Sequence, residues 1–501
     1  MNESKKNPNF FSNSDRQVFL IKLQNQLDMG ALLSRYSRTS KLDIREVFYK
    51  EFESNEQRGR DFYERVFLEY GDESVAELVN IHLAVQDISN LLVKEIEETR
   101  IGASYIEKSS RYVKYDVKHD GKFLYLSFEK TGINGIFQNE YENLMDDMFS
   151  YYSRSLPLVI EIVRRENPFE SISSDKSEHN LKAYETAVRS RALDDIRAIL
   201  PVATITNVGI SSNARTIVGI IQKLESSGLN EAKAIADMIY EEMQPEFGEI
   251  IKSAKNVHGK SHVEYLEGTR NLGKNLPFTH KFSEDVVLLN YNQYTAGSIN
   301  EFFQGSKDNT DEENIKIIQS ISEQRRNRRD KIPRQFEFID LIYSLRMNYG
   351  AFREFQRHRM FSILRGNLDP EMGHEIPEYI MKSPDLSNEF SSLCKRSATL
   401  FKKIAESGQP NEAQYVLPFA TLYNIKVSGN LRELVYFSEL RSTPQAHPDL
   451  RKIAISMADE FIRREGRYSS LFKFIDRNNY HLGRFSQEAT KEKKIENLKK
   501  K

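Results

Sequence analysis

Long segments of this chain place apolar residues three or four positions apart, the spacing that gives an α-helix one buried face. Residues 78–96 follow this spacing, and residues 338–355 follow it as well. We predict a long helix over each of these segments. Shorter stretches with the same spacing predict helices over 232–240 and 450–464.

Strands and tails complete the predicted architecture. The compact apolar runs 123–128 and 286–290 are short enough to be strands. Glycine and proline are sparse, so the helical patterns are seldom interrupted. We therefore predict a mainly helical α+β fold. The polar end 1–15 is predicted as a disordered tail, and the lysine-rich end 486–501 as a basic, solvated tail.

An internal repeat is visible in the sequence itself. Residues 200–215 read LPVATITNVGISSNAR, and residues 417–432 read LPFATLYNIKVSGNLR. They share the pattern L-P-x-A-T-x-x-N-x-x-x-S-x-N-x-R at an offset of 217 (417 minus 200). So many identities at one offset indicate a duplicated segment.

A looser match extends the repeat toward the N-terminus. Glu77 corresponds to Glu337 at an offset of 260, and Ser104 corresponds to Ser362 at an offset of 258. The larger offset means that the first repeat is longer between these anchors and its L-P-x-A-T segment. We predict two repeats, at 16–275 and 276–485.

The end of the second predicted long helix is strongly cationic. Arg357, His358 and Arg359 are consecutive, and Ser362 follows. Clustered cations repel one another unless they share an anion, and arginine forks suit phosphate or the polar edge of a flavin. The alternative is a solvated helix end, where cations interact favourably with the helix dipole. The spacing alone leaves both interpretations open.

A second polar cluster lies at the corresponding place in the first repeat. Glu107, Ser109 and Arg111 alternate along the chain, and Tyr112 follows. In an extended segment alternate side chains point to one side, so the three could grip a nucleotide, with arginine at the phosphate. An ordinary polar loop is the alternative interpretation.

Together the two clusters resemble the flavin-dependent thymidylate synthase (ThyX) family. In that family a helix ends in Arg-His-Arg, followed by Ser and then by Glu-x-Ser-x-Arg-Tyr, in one continuous motif. Here the motif is divided: the second repeat keeps Arg-His-Arg at 357–359 with Ser362, and the first keeps Glu-x-Ser-x-Arg-Tyr at 107–112. The resemblance covers roughly residues 30–270 and 285–475.

Other positions of the family pattern divide in the same way. The arginine before Leu-Pro that binds the nucleotide is matched by Arg197, whereas the second repeat has Gln414. The late arginine that contacts the uracil ring is matched by Arg441, whereas the first repeat has Leu224. The flavin-contacting Asn-x-Arg occurs in both repeats, and an upstream serine also matches; these residues are Asn213, Arg215, Asn430, Arg432 and Ser74.

The resemblance implies one composite active site. In the family, one subunit supplies Arg-His-Arg and the late arginine, and its neighbour supplies Glu-x-Ser-x-Arg and the arginine before Leu-Pro. The second repeat keeps the first set and the first repeat keeps the second set. We therefore expect the repeats to pack as a pseudo-dimer through their long apolar helices, and whole chains to form homodimers that restore a pseudo-tetramer.

The activity implied by the resemblance is synthesis of dTMP from dUMP. Methylenetetrahydrofolate would supply the one-carbon unit, FAD would be the cofactor, and NADPH would reduce it. Catalytic roles fall to Arg441 and Arg357. The residues implied to bind dUMP are Glu107, Ser109, Arg111, Arg197, Arg357 and Arg441. Those implied to bind FAD are Ser74, Arg357, His358, Arg359, Asn430, Arg432, Asn213 and Arg215.

Departures from the family pattern leave a second interpretation open. The family's Asn before the motif glutamate is Ile106 here, and its Gln three positions before Arg-His-Arg is Glu354, an acid where a dianionic nucleotide is expected. The Ala-Gln-x-Glu after the late arginine is altered to Gln-Ala-His-Pro at 445–448. The alternative is a catalytically inactive relative that binds flavin or nucleotide as a sensor or structural partner.

Composition narrows the classes of partner. The formal net charge of −1 gives no general attraction to nucleic acid or anionic membranes, and no apolar run approaches the ~20 residues of a membrane span. The N-terminus lacks an apolar signal core, so a soluble cytoplasmic protein is expected. The single cysteine, Cys394, has no neighbouring histidine or helix start to activate it as a nucleophile.

Two further clusters are weaker candidates. His258 and His262 lie four residues apart and could form half of a metal site, but Gly259 weakens the helix between them. The favoured interpretation is that both histidines are solvent-exposed polar residues of the surface, and no metal is expected. The run RRNRRDK at 325–331 suits phosphate contacts, but an exposed charged segment is favoured.

Overall fold

A computed structural model describes residues 10–40, 43–55, 57–69, 73–274, 282–304 and 310–499. In this part of the chain the α-helices, numbered α1 to α20 in chain order, are Gln26–Ser37, Ile44–Glu51, Arg58–Glu69, Asn90–Ile96, Phe128–Thr131, Gln138–Glu166, Phe169–Ile172, Glu178–Ile196, Ala214–Glu225, Asn230–Ile251, Val257–Lys274, Gln293–Gly297, Glu301–Gln304, Asp311–Gln324, Tyr349–Phe355, Glu378–Met381, Pro384–Glu406, Leu431–Arg441, Pro448–Arg464 and Phe485–Lys499. The strands β1 to β7 are Asn80–Ser89, Ala103–Glu107, Ile205–Asn213, Val286–Tyr291, Asp340–Asn348, Ser362–Arg365 and Leu422–Asn430. The predicted mainly helical α+β class is confirmed.

The two segments predicted as long helices are each half strand and half helix. Residues 78–96 form β1 and then α4, and residues 338–355 form β5 and then α15. Strand β5 lies between β4 and β7 and is buried on both faces, so its sequence lacks the alternation that marks a half-buried strand. In β1 the alternation is broken at Asp87, whose backbone is left-handed with φ 55°. The helix prediction was therefore wrong for the first half of each segment.

The other element predictions have mixed outcomes. Helices are confirmed over 232–240, within α10, and over 450–464, within α19. The strand predicted at 286–290 is β4. The run 123–128 was wrongly predicted as a strand, because it forms an isolated bridge through Tyr125 before α5 begins.

The two sheets repeat one arrangement. The first has the strand order β1-β3-β2, and the second has β4-β5-β7-β6, in which β5-β7-β6 follows the same order. Each of β3 and β7 ends in an asparagine that caps the next helix, Asn213 for α9 and Asn430 for α18. Two residues later, Arg215 pairs with Glu77 at 2.8 Å, as Arg432 pairs with Glu337 at 2.7 Å. The corresponding ion pairs support the duplication inferred from the sequence.

The two L-P-x-A-T segments pair with each other in a pseudo-symmetric way. The Val202 N–H donates to the Leu417 carbonyl at 2.8 Å, and the Phe419 N–H donates to the Leu200 carbonyl at 2.9 Å. The repeat offset of 217 exchanges the two bonds, because Val202 corresponds to Phe419 and Leu200 to Leu417, as an isologous contact requires. The expected pairing through the long apolar segments stays a prediction, although the Tyr349 hydroxyl of the second segment donates to the Asn90 carbonyl of the first at 3.3 Å.

The chain divides into two compact units. Unit 1 contains Met1–Ile88, Leu92–Lys108 and Thr206–Leu272, and unit 2 contains Ser89–Leu91, Ser109–Ile205 and Gly273–Lys501. Unit 2 therefore combines residues from both predicted repeats. The predicted boundary at 275 lies outside the described residues, and the repeat limits 16–275 and 276–485 stay predictions.

The predicted tails differ in the structure where they are described. Phe11, within the predicted tail 1–15, is buried and forms a bridge with Ile21. Most of the predicted basic tail forms α20, which packs against α8, with His179 Nδ1 3.2 Å from the Glu496 carboxylate. No helix in the described ranges is both long and apolar enough to cross a membrane.

Candidate nucleotide site

A buried carboxylate on α15 gathers three guanidiniums in unit 2. Glu354 lies 3.3 Å from Arg197, 3.4 Å from Arg111 and 4.0 Å from Arg441. Arg111 and Arg197 belong to the first predicted repeat, whereas Arg441 belongs to the second. The structure thus brings together three of the residues expected to bind dUMP, on the acid that departs from the family pattern. Their role in binding a nucleotide stays a prediction.

A second buried acid, Asp194 near the end of α8, holds Arg111 in a fixed orientation. The Arg111 Nε donates to Asp194 Oδ1 at 2.7 Å, and Nη2 donates to Oδ2 at 2.8 Å. Burial would raise the pKa of Asp194, but the charge and hydrogen bonds of Arg111 outweigh it and hold that pKa well below its usual range. Asp194 was not predicted from the sequence. Its signal was an acid three positions before Arg197, between the buried Leu193 and Ile196.

The segment after β2 is a turn rather than an extended strand. Ser109 Oγ accepts the Arg111 N–H at 3.3 Å and thereby shapes the turn. Ser110, which was not predicted, is the serine that meets the arginines. Its buried Oγ lies 3.2 Å from Nη1 of Arg197 and 3.4 Å from Nη1 of Arg353. Because the backbone turns here, Ser109 and Arg111 do not share the side predicted for an extended segment.

His358 holds the late arginine in place. The Arg441 Nε donates to His358 Nε2 at 2.7 Å, so the histidine accepts through that nitrogen. Burial lowers the pKa of His358, although the Glu433 carboxylate, 3.5 Å from Nδ1, opposes the shift. The neutral ring is therefore favoured, with its proton on Nδ1 facing Glu433. His358 positions Arg441 beside Glu354.

The remaining residues of unit 2 that the family resemblance assigns to the flavin differ in their exposure and in their hydrogen-bond partners. Arg357 and Arg359 are exposed on the turn after α15. Asn430 accepts the Glu433 N–H at 3.0 Å as the cap of α18. Arg432 donates to the Ile332 carbonyl at 2.7 Å in addition to its ion pair with Glu337.

Four predicted site residues belong to unit 1. Ser74 is exposed on a short 3-10 helix, Asn213 caps α9, and Arg215 pairs with Glu77. Glu107 is buried at the end of β2, where it lies 3.1 Å from the Lys94 ammonium. Lys94 also pairs with Glu97 at 2.5 Å, and this buried network was not predicted from the sequence.

The altered segment 445–448 contributes a backbone carbonyl and a buried histidine to the surroundings of the arginines. The Gln445 carbonyl accepts from Nη2 of Arg111 at 3.4 Å. His447 is buried and caps α19 by accepting the Asp449 N–H at Nδ1. The departures at Gln445 and His447 are therefore built into the packing around the arginines, whereas Ile106 is exposed.

A cavity of about 160 Å³ adjoins the cluster. Asp194 and Arg197 line one part of it, and Glu375 and Asp449 line another. The Asn348 side chain donates to both of these last two carboxylates, at 2.7 and 2.6 Å. Burial and the nearby charge of Asp449 raise the pKa of Glu375 to about 6. The space is large enough for a small organic group, since a cavity of about 150 Å³ can hold benzene.

The buried Glu354 predicts a loss of stability in acid. Burial would raise its pKa, but the charges of Arg111 and Arg197 outweigh that effect and lower it from 4.5 to about 2. The folded state then binds fewer protons than the unfolded state, so stability falls as the pH drops from about 4.5 toward 2. Thermal unfolding of the wild type and of Glu354→Gln between pH 6 and 3 measures this contribution as a difference.

The wild type and Glu354→Gln must be compared because other buried carboxyls change the stability in the opposite direction as the pH falls. Burial raises the pKa of Asp195 to about 6, despite the charge of Arg191, so its contribution is lost as the pH rises toward 6. We expect the variant to lose less stability than the wild type below pH 4.5. Parallel pH profiles would contradict the assignment.

The weaker candidates have clear structural outcomes. Burial raises the pKa of the Cys394 thiol, which agrees with the expectation of an unactivated cysteine. His258 and His262 are exposed on α11. The run 325–331 is exposed at 326–329 and 331, as predicted, but Arg325 is an exception, because it is buried and its Nη1 donates to the Glu439 carboxylate at 3.0 Å. A buried acid on α18 compensates that charge.

Comparisons with known proteins extend over nearly the whole chain. The sequence model of the family described as "Thymidylate synthase complementing protein" matches residues 22–247 and 285–464. The UPF0159 protein Ta1429 of Thermoplasma acidophilum is 41% identical over 495 residues, which cover 93% of this chain and 98% of that protein. A UPF0159 protein of Chlamydia muridarum is 31% identical and covers 96% of each chain.

A relative with a named activity matches a shorter stretch. The flavin-dependent thymidylate synthase of Thermococcus kodakarensis is 36% identical over 118 residues, which are 22% of this chain and 48% of that protein. The family match, by contrast, spans most of this chain in two segments, as the internal repeat leads one to expect. The chain therefore belongs to the thymidylate synthase complementing protein family, the ThyX family that its divided motif resembles.

Proposed function

We propose that this protein converts dUMP to dTMP in one composite site that uses residues of both repeats. Methylenetetrahydrofolate supplies the one-carbon unit, and NADPH reduces a bound FAD. The observation that carries the proposal is the meeting of Arg111 and Arg197 with Arg441 at Glu354. Guanidiniums from both repeats within one unit are the arrangement that a divided motif needs.

The arginines divide the work of binding dUMP. The phosphate takes the place of the Glu354 carboxylate between Arg111 and Arg197, because both anions suit guanidinium forks. Arg441, oriented by His358, provides a positive charge beside the uracil carbonyls, where charge develops during attack on the ring. Arg357 directly precedes His358 and is exposed on the turn after α15. From this turn it contacts the nucleotide or the flavin.

The residues of the turn fit a flavin cofactor in their chemistry. Arg357 and Arg359 are exposed guanidiniums two positions apart, which suits the pyrophosphate of FAD. Asn430 and Arg432 fix the start of α18 through a cap and an ion pair. When bound, the reduced flavin would supply the hydride that completes the methyl group.

We expect flavin retention to depend on the second repeat. Arg357→Ala, His358→Ala and Arg432→Ala should each lower the FAD that copurifies with the protein, because they remove a charge or the support of the turn. Arg100→Ala, at the counterpart of Arg-His-Arg in the first repeat, should leave it unchanged. Oxidised flavin absorbs near 450 nm, so the absorbance there, divided by the protein concentration, measures the amount of FAD bound per chain. Equal losses at both places would contradict the divided motif.

The direct test is an assay of the purified chain. With dUMP, methylenetetrahydrofolate, NADPH and FAD present, we expect dTMP to form and to be detected by mass spectrometry. Omission of either co-substrate should abolish the product. Absence of dTMP from a folded, flavin-loaded protein would overturn the catalytic proposal.

One observation favours a second candidate function, a non-catalytic relative that binds nucleotide or flavin as a sensor or structural partner. Glu354 and Asp194 already occupy the guanidiniums of Arg111 and Arg197, so these two arginines have anionic partners without substrate. Nucleotide binding without dTMP formation would support this function over the first.

The proposed assembly is a homodimer of two-repeat chains in the cytoplasm. The pseudo-symmetric contact at Leu200 and Leu417 leaves the second contact of a tetrameric arrangement to be made between chains. Light scattering at micromolar concentration should give about twice the 58.3 kDa chain mass.

A further inference from the structure

Arg484 lies just before α20, beyond the last residue that the family model matches. Its side chain is 9% exposed, and its guanidinium lies over the Tyr112 ring at 4.9 Å from the centroid. The nearest described carboxylate is that of Asp194, with Oδ2 3.7 Å from Nη2 of Arg484. This segment thus adds an arginine to the cluster that the family pattern does not contain.

The guanidinium of Arg484 has unused donors. Neither Nη1 nor Nη2 makes a hydrogen bond to any residue of the described ranges. Buried polar groups are normally hydrogen-bonded, and a guanidinium offers five N–H donors. Asp194 does not meet this need, because its Oδ2 lies 3.7 Å from Nη2 of Arg484, beyond hydrogen-bond distance.

Two arginines therefore face one carboxylate. Arg111 and Arg484 both approach Oδ2 of Asp194, and Asp194 is the carboxylate nearest to Arg484, whereas Arg111 also pairs with Glu354. An anion with several acceptor oxygens would relieve the repulsion between them and accept from the unused Nη atoms. A phosphate group has that chemistry, and arginine binds it through paired hydrogen bonds.

We propose that Arg484 binds the phosphate of the nucleotide together with Arg111 and thereby selects nucleotides over nucleosides. The inference rests on the proposed function and adds a residue from outside the family match to the same site. The guanidinium lies over the Tyr112 ring, a cation–π contact that holds Arg484 in place.

Calorimetry with dUMP and with deoxyuridine, which lacks the phosphate, tests the assignment on the full-length protein with FAD present. Arg484→Ala should weaken dUMP binding by about ten- to a hundredfold, since one charge-assisted contact is lost. Deoxyuridine binding should not change. Arg484→Lys keeps the charge but not the guanidinium fork, so its affinity for dUMP should lie between those of the wild type and Arg484→Ala. Arg477→Ala is the matched control, because Arg477 is half exposed and pairs with Asp459 at the surface.

The outcomes separate this assignment from the proposed function. If the wild type binds dUMP and Arg484→Ala binds it equally well, or loses dUMP and deoxyuridine affinity in equal measure, the phosphate role of Arg484 is overturned and the nucleotide site stands. A wild type that binds no dUMP overturns the proposed function and the Arg484 assignment together. Should Arg484→Ala fail to fold, unchanged dUMP affinity in Arg484→Lys overturns the assignment.

Discussion

Arg111→Ala and Arg441→Ala are each expected to weaken dUMP binding by about ten- to a hundredfold, which corresponds to about 1.5–3 kcal/mol. The two residues come from different repeats, yet both lie within 4.0 Å of the Glu354 carboxylate. Each substitution removes a charged hydrogen-bond donor from the place where the phosphate and the uracil carbonyls are expected. Calorimetry with FAD present measures the effect.

The double variant adds a test of convergence. Groups that share one ligand couple, so Arg111→Ala with Arg441→Ala should depart from the sum of the single effects. Arg111→Ala also leaves the buried Asp194 without its main partner, so Arg111→Lys serves as a second variant that keeps a charge there. Asn367→Ala, an exposed position in the half of the motif that the second repeat has lost, should change little. Strict additivity would place the arginines in separate sites.

Glu354→Gln is expected to tighten dUMP binding by about tenfold, because a phosphate must otherwise displace a carboxylate from Arg111 and Arg197. The same change should lower the free energy of unfolding at pH 7 by on the order of 3 kcal/mol, since buried guanidiniums lose an ionic partner. Calorimetry and urea unfolding measure the two effects. Opposite signs for binding and stability are the signature of a carboxylate in the ligand's place.

Glu389→Gln provides the control for this prediction. Glu389 pairs with Arg154 at the surface, and both side chains are about half exposed, so its loss should alter neither quantity appreciably. Unchanged or weaker dUMP binding in Glu354→Gln would mean that the carboxylate and the phosphate occupy different positions. The substrate would then have to approach the arginines from another side.

The sequence predicted the repeat and the residues that meet, but not how the chain reaches them. Identities at a fixed offset do not depend on secondary structure. The sequence therefore predicted the L-P-x-A-T repeat correctly, although the helices predicted over β1 and β5 were wrong. The error at β5 arose because a central strand buried on both faces shows no alternation. Periodicity alone does not separate such a strand from a buried helix.

The acids of the site were harder to predict than its arginines. Asp194 is an ordinary carboxylate in the sequence, and only the fold shows that its oxygens accept from Arg111. Glu354 was noticed as a departure, yet its position between guanidiniums from both repeats is a tertiary property. Arg484 lies outside every motif, so its burial beside Asp194 had no sequence signal.

The most direct test of the account is the stoichiometry of dUMP binding. Calorimetric titration of the full-length, FAD-loaded protein should give one dUMP per chain, because the arginines of both repeats form a single composite site and its counterpart lacks Arg-His-Arg and the late arginine. Two equivalent dUMP molecules per chain would show that each repeat has a complete site, and would contradict the divided motif.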